Sequence, residues 1–404
     1  MRKASVLLSA LLCLFLSTPI AGAAPATSGG SLADGVNAFA CDLYGQLRTH
    51  KGNLFFSPLG ITYALAAAGA GARGETAAQM ERTLRLASGG EQARRALADL
   101  LQRLNVSQDE GHPRIEIANS LWPHKDFSLR PEYVELAQKY FDTAVLPVDY
   151  QGGATEAAAR INAWIEEKTR GRIRDIMSPP PADTRLVLAN AVYFRGVWAS
   201  PFDPGATRED IFHAPGKAVQ APFMKQTGSF GYLEARDLQI LERRYAGGAF
   251  SLLAFLPAKT PGALEKLEKD LGAQRLAQWT GALIQREVQV VLPKFKLSWG
   301  PASLTATLGA LGMQSAFSPQ GADFGGMSPD PDLFIDNIVH QADVDLDEQG
   351  TAASAATMTM MAASGRPGVP MVPPVFRADR PFVFLIRENA GGTVLFMGRL
   401  TNPR

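Results

Sequence analysis

Residues 350–374 set the first constraint on this chain. Between Gly350 and Pro374 only Arg366 is charged. The stretch opens with Gly, Thr, Ala and Ser, passes Met358, Met360 and Met361, and closes with four prolines. A structureless segment of this length is uncommon inside a compact domain and is usually functional or disordered. Its flanks are strand-like, and its first half has a strand's composition without its bulk. Any fold for this chain must therefore carry a long, nearly uncharged loop between strands close to the C-terminus. A low-complexity Ala/Ser/Thr linker is the other reading of the same residues.

A packed core has to hold the rest. Apolar residues make up 46 % of the 404 and charged ones 20 %, an ordinary globular balance. Forty basic side chains nearly cancel thirty-nine acidic ones, so neither nucleic acid nor a membrane surface is expected as a partner. Arg2 and Lys3 precede an apolar run from Val6 to Leu16, and Ala21-Gly22-Ala23 is a small-x-small site. Residues 1–23 read as a secretory signal peptide, too short to span a bilayer. The product is expected to be secreted, extracellular or periplasmic if bacterial. Cys13 leaves with the signal, so Cys41 alone remains and no intramolecular disulfide is possible. Cys41 sits among apolar residues at helical spacing, which reads as a buried structural thiol.

Helical spacing is clear for Val36, Phe39, Ala40, Leu43 and Leu47. Ser57-Pro58 reads as a cap followed by proline at the first helical position, opening an Ala-rich helix to about Ala70. Further helices are predicted near 76–86, 91–104 and 154–169. Strands are predicted at 115–121, 186–193, 220–225, 231–234, 250–255, 288–295, 375–377, 382–387 and 393–399. Helices early and antiparallel-type strands late point to an α+β fold. Without an internal repeat or a long linker, residues 24–404 are expected to form one domain.

Signs of catalysis are missing. None of the five histidines has metal-ligand spacing, and there is no Cys-x-x-Cys, no His-Glu-x-x-His and no Gly-x-Ser-x-Gly. No metal, no cofactor and no enzymatic activity are expected. A binding protein is the better reading.

Several blocks, taken in order, resemble one family. They are Asn53-Leu54-Phe55-Phe56-Ser57-Pro58, Ile117-Ala118-Asn119-Ser120-Leu121-Trp122, 188–198, Val291-Leu292-Pro293-Lys294-Phe295, 308–313, and Asp323-Phe324-Gly325-Gly326-Met327-Ser328. Near the end come Arg380-Pro381-Phe382, then Phe396-Met397-Gly398-Arg399 and Asn402-Pro403. Together they resemble the serpins, and the likeness covers nearly all of the chain after residue 23.

The resemblance implies three β-sheets with eight to nine helices and an exposed reactive-centre loop at about 348–374. It implies a suicide-substrate inhibitor of serine proteases. The protease cuts the loop and forms an acyl-enzyme. The loop then inserts as a strand in the central sheet before hydrolysis finishes. About fifteen residues at roughly 3.3 Å each carry the protease about 50 Å. Glu348, Gly350, Thr351, Ala352, Ala353, Ser354, Ala355, Ala356 and Thr357 match the insertion hinge. Thr351, Ala353, Ala355 and Thr357 share one face of such a strand and are implied to turn inward. Ala352 departs from the glutamate usual there. A non-inhibitory serpin acting as carrier, chaperone or storage protein is the alternative, although such proteins carry bulky or charged hinges.

The resemblance also implies supporting sites. Ser57, Asn190 and His340 match a polar shutter beneath the opening strands. Gly60 stands where a second shutter serine is common, leaving that network one hydroxyl short. Trp198 and Lys294 match the breach, where a Lys294–Glu348 ion pair is expected. Family spacing puts the cut between Ser364 and Gly365, with Met361, Ala362, Ala363 and Arg366 as alternatives. Apolar or small residues there suit elastase-, chymotrypsin- or subtilisin-like proteases. No heparin-type stripe is expected, because Glu91 and Asp99 interrupt Arg94, Arg95 and Arg103. A monomer is expected.

Overall fold

Ser31 caps the first helix: its hydroxyl accepts the Asp34 N–H, and the Asp34 carboxylate accepts the Ser31 N–H. From there the computed structural model describes residues 31–86, 90–105, 113–351 and 372–404. Residues 1–30, with the expected signal peptide, and loop residues 352–371 lie outside the described residues.

Nine α-helices occur among the described residues. They are α1 (Leu32–Leu47), α2 (Pro58–Ala70), α3 (Gly74–Leu84), α4 (Glu91–Asn105), α5 (Pro131–Phe141), α6 (Tyr150–Lys168), α7 (Ala263–Asp270), α8 (Ala273–Gly281) and α9 (Thr305–Ala310). Ser57 caps α2 through the Gly60 N–H, and Pro58 takes the first helical position as the sequence predicts. Helix α2 is apolar all round and buried from Pro58 to Ala68, so it runs through the core rather than over it. In α6 the backbone breaks helical geometry at Gly153, one residue before the predicted start.

Fifteen strands are present among the described residues: β1 (Leu54–Phe56), β2 (Arg114–Pro123), β3 (Thr143–Val145), β4 (Leu186–Val197), β5 (Arg208–Ala214), β6 (Lys217–Ala235), β7 (Leu238–Arg244), β8 (Phe250–Pro257), β9 (Ile284–Pro293), β10 (Phe295–Ser303), β11 (Asn337–Leu346), β12 (Gly350–Thr351), β13 (Val375–Arg377), β14 (Phe382–Glu388) and β15 (Val394–Leu400). The central sheet has the order β10-β11-β12-β4-β2-β3, and β11 also pairs with β4. The other hydrogen-bonded sheet has nine strands. Within it the first half of β6 pairs with β5, and its second half continues through β7, β8, β14, β15 and β1. The three expected sheets are thus two ladders by hydrogen bonding, because β6 and β9 run from one group into the next. The segment Gln226–Ser229 reads as a turn in sequence but pairs with Glu287–Val290 of β9, so two predicted strands are one.

Central strand β4 is buried on both faces, as its near-continuous apolar run requires. Leu188, Val192 and Phe194 join the main core. Val187, Ala189 and Ala191 join a second cluster with Trp122, Tyr150, Ile161 and Ile165, which α6 covers. Each large aliphatic side chain buried this way contributes roughly 1.5–3 kcal/mol. Cys41 is buried in the main core, and burial pushes its thiol up to about 12, which makes it a poor nucleophile. No helix of the described residues is long and apolar enough to cross a membrane.

Candidate functional site

The central sheet contains a seam that is closed below and wedged open above. Strands β4 and β11 run parallel and pair directly from Val187–Asn337 to Tyr193–Asp343. Above that level they part, and β12 fills the gap antiparallel to both. Thr351 lies opposite Gly196 on one side and Leu346 on the other, and Gly350 lies opposite Val197. The chain leaves β11 and turns back at once to make this wedge. Asp347 shapes the turn: its N–H donates to the Gly350 carbonyl, and its carboxylate accepts the N–H groups of Gln349 and Gly350. Burial holds that carboxyl above its usual range.

Gly350 is required for two reasons. Its φ is +152°, and a Cβ there meets the Gly196 carbonyl oxygen at 1.9 Å. Any side chain forces the hinge out of the sheet. Gly350→Ala is therefore expected to speed hydrogen exchange of the Trp198 and Phe202 amides at least about tenfold, since strain of this kind costs roughly 1–3 kcal/mol. Those amides donate to Gln349 and Glu348 carbonyls in the turn. Unchanged exchange would show that the turn does not depend on the glycine.

Residues 347–351 are held by a socket of aromatic and charged side chains. Thr351 is fully buried, and its hydroxyl lies 2.9 Å from that of Tyr245. The Tyr245 ring stacks on Trp198 at 4.6 Å, and Trp198 Nε1 donates to the Asp347 carbonyl at 3.0 Å. Lys294 Nζ lies 2.8 Å from Glu348 Oε2, and the Thr207 hydroxyl donates to Glu348 Oε1 at 2.9 Å. The Glu348 bond raises the Lys294 ammonium above its usual range. Burial opposes ionisation of Glu348, but the bonds from Lys294 and Thr207 outweigh it and leave the carboxyl below its usual range. The lysine side chain is 38 % exposed, so the pair fixes geometry more than it adds stability, at most about 1 kcal/mol.

Lower on the same seam, Asn119, Asn190 and His340 lie side by side on β2, β4 and β11. Asn190 Nδ2 donates to Asn119 Oδ1, and His340 Nδ1 lies 2.5 Å from Asn190 Oδ1. The Ser57 backbone N–H donates to His340 Nε2, which puts the imidazole proton on Nδ1. The Ser57 hydroxyl donates to the Leu395 carbonyl. Each of these four side chains finds a partner, as a polar cluster in a core requires. Burial pushes His340 down to about 3, against the opposing bond from Asn190, so it is neutral. The hydroxyl expected to be missing at Gly60 has no room in this protein. A Cβ there meets Val192 Cγ2 at 2.5 Å and Asn190 Nδ2 at 2.9 Å, and Asn119 completes the relay instead.

Of the hinge residues named from sequence, Glu348, Gly350 and Thr351 meet at this site. Ala352, Ala353, Ser354, Ala355, Ala356 and Thr357 lie outside the described residues, as do Met361, Ala362, Ala363, Ser364, Gly365 and Arg366. Sequence reading missed Asn119, Thr207 and Tyr245. Asn119 was within a quoted block, and a polar residue in an apolar strand was its signal. On α4, Arg94 and Arg95 both pair with Glu91. Among the described residues no group of three His, Cys, Asp or Glu is arranged to hold a metal.

Comparison with known proteins agrees with this geometry. The family model described as Serpin (serine protease inhibitor) matches residues 34–403. An uncharacterised serpin-like protein of Thermococcus kodakarensis is 40 % identical over 91 % of this chain and 85 % of its own length. The leukocyte elastase inhibitor of Homo sapiens is 34 % identical over 90 % of this chain and 97 % of its own. The crystal structure of Serpin48 from the insect Tenebrio molitor, titled a highly specific serpin, superposes with a TM-score of 0.81 at 30 % identity, covering 92 % of this chain and 98 % of that one. The fold is the serpin fold, and the chain belongs to the serpin family of serine protease inhibitors.

Proposed function

We propose that this protein is a secreted suicide-substrate inhibitor of serine proteases and not itself an enzyme. The observation that carries this reading is β12, because Gly350 and Thr351 already form a strand between β4 and β11. Inserted in the register that Gly350 and Thr351 already hold, Ala353 would fall opposite Phe194 and Val344, Ala355 opposite Val192 and Ala342, and Thr357 opposite Asn190 and His340. Small residues at the first positions slide past the core with little clash. At the last, the inserted Thr357 hydroxyl would replace the bond that His340 and Asn190 make to each other in the closed sheet. Inserted in the same register, Ala352 would fall opposite Arg195 and Asp345 on the other face, where it asks nothing of the core. The reactive bond is Ser364–Gly365, with Met361, Ala362, Ala363 and Arg366 as neighbouring alternatives. Small and apolar residues there suit an elastase-, chymotrypsin- or subtilisin-like target, and the name of the human relative supports elastase. The apolar run and small-x-small site of residues 1–23 support export.

Mixing the protein with elastase, chymotrypsin, subtilisin and trypsin tests this on a denaturing gel. A band at the summed mass is expected with at least one of them, and sequencing the released peptide gives the bond. Loop cleavage is expected to raise the thermal midpoint by about 10 °C, since a completed central strand adds several kcal/mol. Cleavage by every protease, with no covalent band and no rise in midpoint, would favour a carrier, chaperone or storage role.

A further inference from the structure

Arg243 is a buried side chain near residues 347–351 whose chemistry the site above leaves unused. It lies on β7, two residues before Tyr245, and is 1 % exposed. Its Nη2 donates to the Ser200 carbonyl and to Gln226 Oε1. Its guanidinium carbon lies 4.6 Å from the Trp198 ring centre and 3.8 Å from that of Phe202. None of these partners carries a negative charge. Among the described residues Nη1 has no hydrogen-bond partner. Burial pulls this guanidinium down to about 9, a measure of how poorly the site suits a cation as a mere filler. A buried charge without a counter-ion costs free energy, and an apolar side chain of similar volume fills a core at no such cost.

The position of the three contacts suggests what the charge does. Residues 198–202 form the socket for the hinge turn, since the Trp198 and Phe202 amides hold the carbonyls of Gln349 and Glu348. Arg243 touches this short segment at both ends and in the middle, through the Trp198 ring, the Ser200 carbonyl and the Phe202 ring. The amide of Gln226 holds the same segment, at the Ser200 hydroxyl and the Pro201 carbonyl. We propose that Arg243 is a positioning residue for hinge insertion, pinning residues 198–202 from inside so that Trp198, Phe202 and Tyr245 hold Asp347–Thr351 between β4 and β11. A flat, delocalised cation serves because it stacks on rings and bonds a carbonyl at once, which neither lysine nor an apolar residue does. The role in inhibition rests on the function proposed above; the role in seating the hinge does not.

Hydrogen exchange on the intact, uncleaved protein tests the seating directly, alongside thermal midpoint and inhibition stoichiometry. In Arg243→Met, exchange of the segments 198–202 and 347–351 is expected to rise about tenfold, the scale of a desolvated cation–π contact. The thermal midpoint is expected to stay or rise, because the buried charge has gone. The inhibitor is expected to need several-fold more molecules per protease inactivated. Unchanged exchange in those two segments, or a lowered midpoint with exchange raised throughout the molecule, overturns the proposal. If Arg243→Met does not fold, Arg243→Lys carries the test, since it keeps the charge but not the flat stack. Faster exchange confined to the two segments then supports the proposal, and wild-type exchange overturns it. A wild-type protein that inhibits no protease would count against the proposed function, while the exchange comparison still decides the role of Arg243.

Discussion

Under the proposed mechanism, replacing Thr351 with arginine is expected to turn an inhibitor into a substrate. Thr351 is fully buried between Gly196 and Leu346, with its hydroxyl on that of Tyr245. A strand inserted from this point must keep side chain 351 on the core side, because its neighbours on both strands face that way. An arginine there buries a charge with no acid to receive it, which costs several kcal/mol. In the proposed mechanism the inhibitory outcome depends on insertion outrunning deacylation, and each 1.4 kcal/mol added to the insertion barrier slows it about tenfold. Insertion is then expected to fall behind by at least about 100-fold. On a denaturing gel the covalent band should vanish and cleaved chain should accumulate. The rate of loop cleavage itself should hold, since the proposed reactive bond at Ser364–Gly365 lies far along the loop. A variant with wild-type stoichiometry would refute insertion through this gap.

Local signals were the legible part of the fold. Ser57 and Pro58 announce α2 because a cap and a proline act within one turn. The apolar run of β4 announces a strand buried on both faces. Helix α5 was missed although Pro131 opens it and Tyr133, Ala137 and Phe141 mark its buried stripe. Strand β6 was split because Gln226–Ser229 has turn chemistry, and only its partner β9 shows that these residues continue a ladder. At the site, family likeness supplied Glu348, Lys294, Trp198, Asn190 and His340. It did not supply Tyr245, which meets Thr351 across 106 residues of chain. Arg243 was invisible for a different reason. In sequence, Glu242-Arg243-Arg244 is a charged run, yet the fold buries the first two. Contacts of that kind depend on register and on what packs above, and neither is written locally.

Acid is expected to weaken the closed seam through His340. The imidazole is fully buried and neutral, and its Nε2 accepts the Ser57 N–H. Protonation turns that acceptor into a donor aimed at another donor, so the relay through Asn190 to Asn119 loses its anchor on α2. Burial has pushed the folded-state value down to about 3, while an unfolded histidine titrates near 6.5. Between those limits the unfolded chain binds more protons than the folded one, so unfolding free energy falls as pH falls. Stability from this group is fully present above about 6.5 and is lost at up to about 1.4 kcal/mol per pH unit below it. Half-buried Asp336, Asp343 and Asp347 have raised values and act in the opposite sense. The comparison of wild type with His340→Gln from about pH 6.5 to 5 therefore isolates His340. Thermal midpoints measured across that window should fall more steeply in the wild type than in His340→Gln, which keeps a polar side chain without the titration. Equal slopes in the two proteins would remove His340 as the cause. A difference that tracks faster exchange of the β4 and β11 amides would tie the acid sensitivity to the seam that the proposed insertion must open.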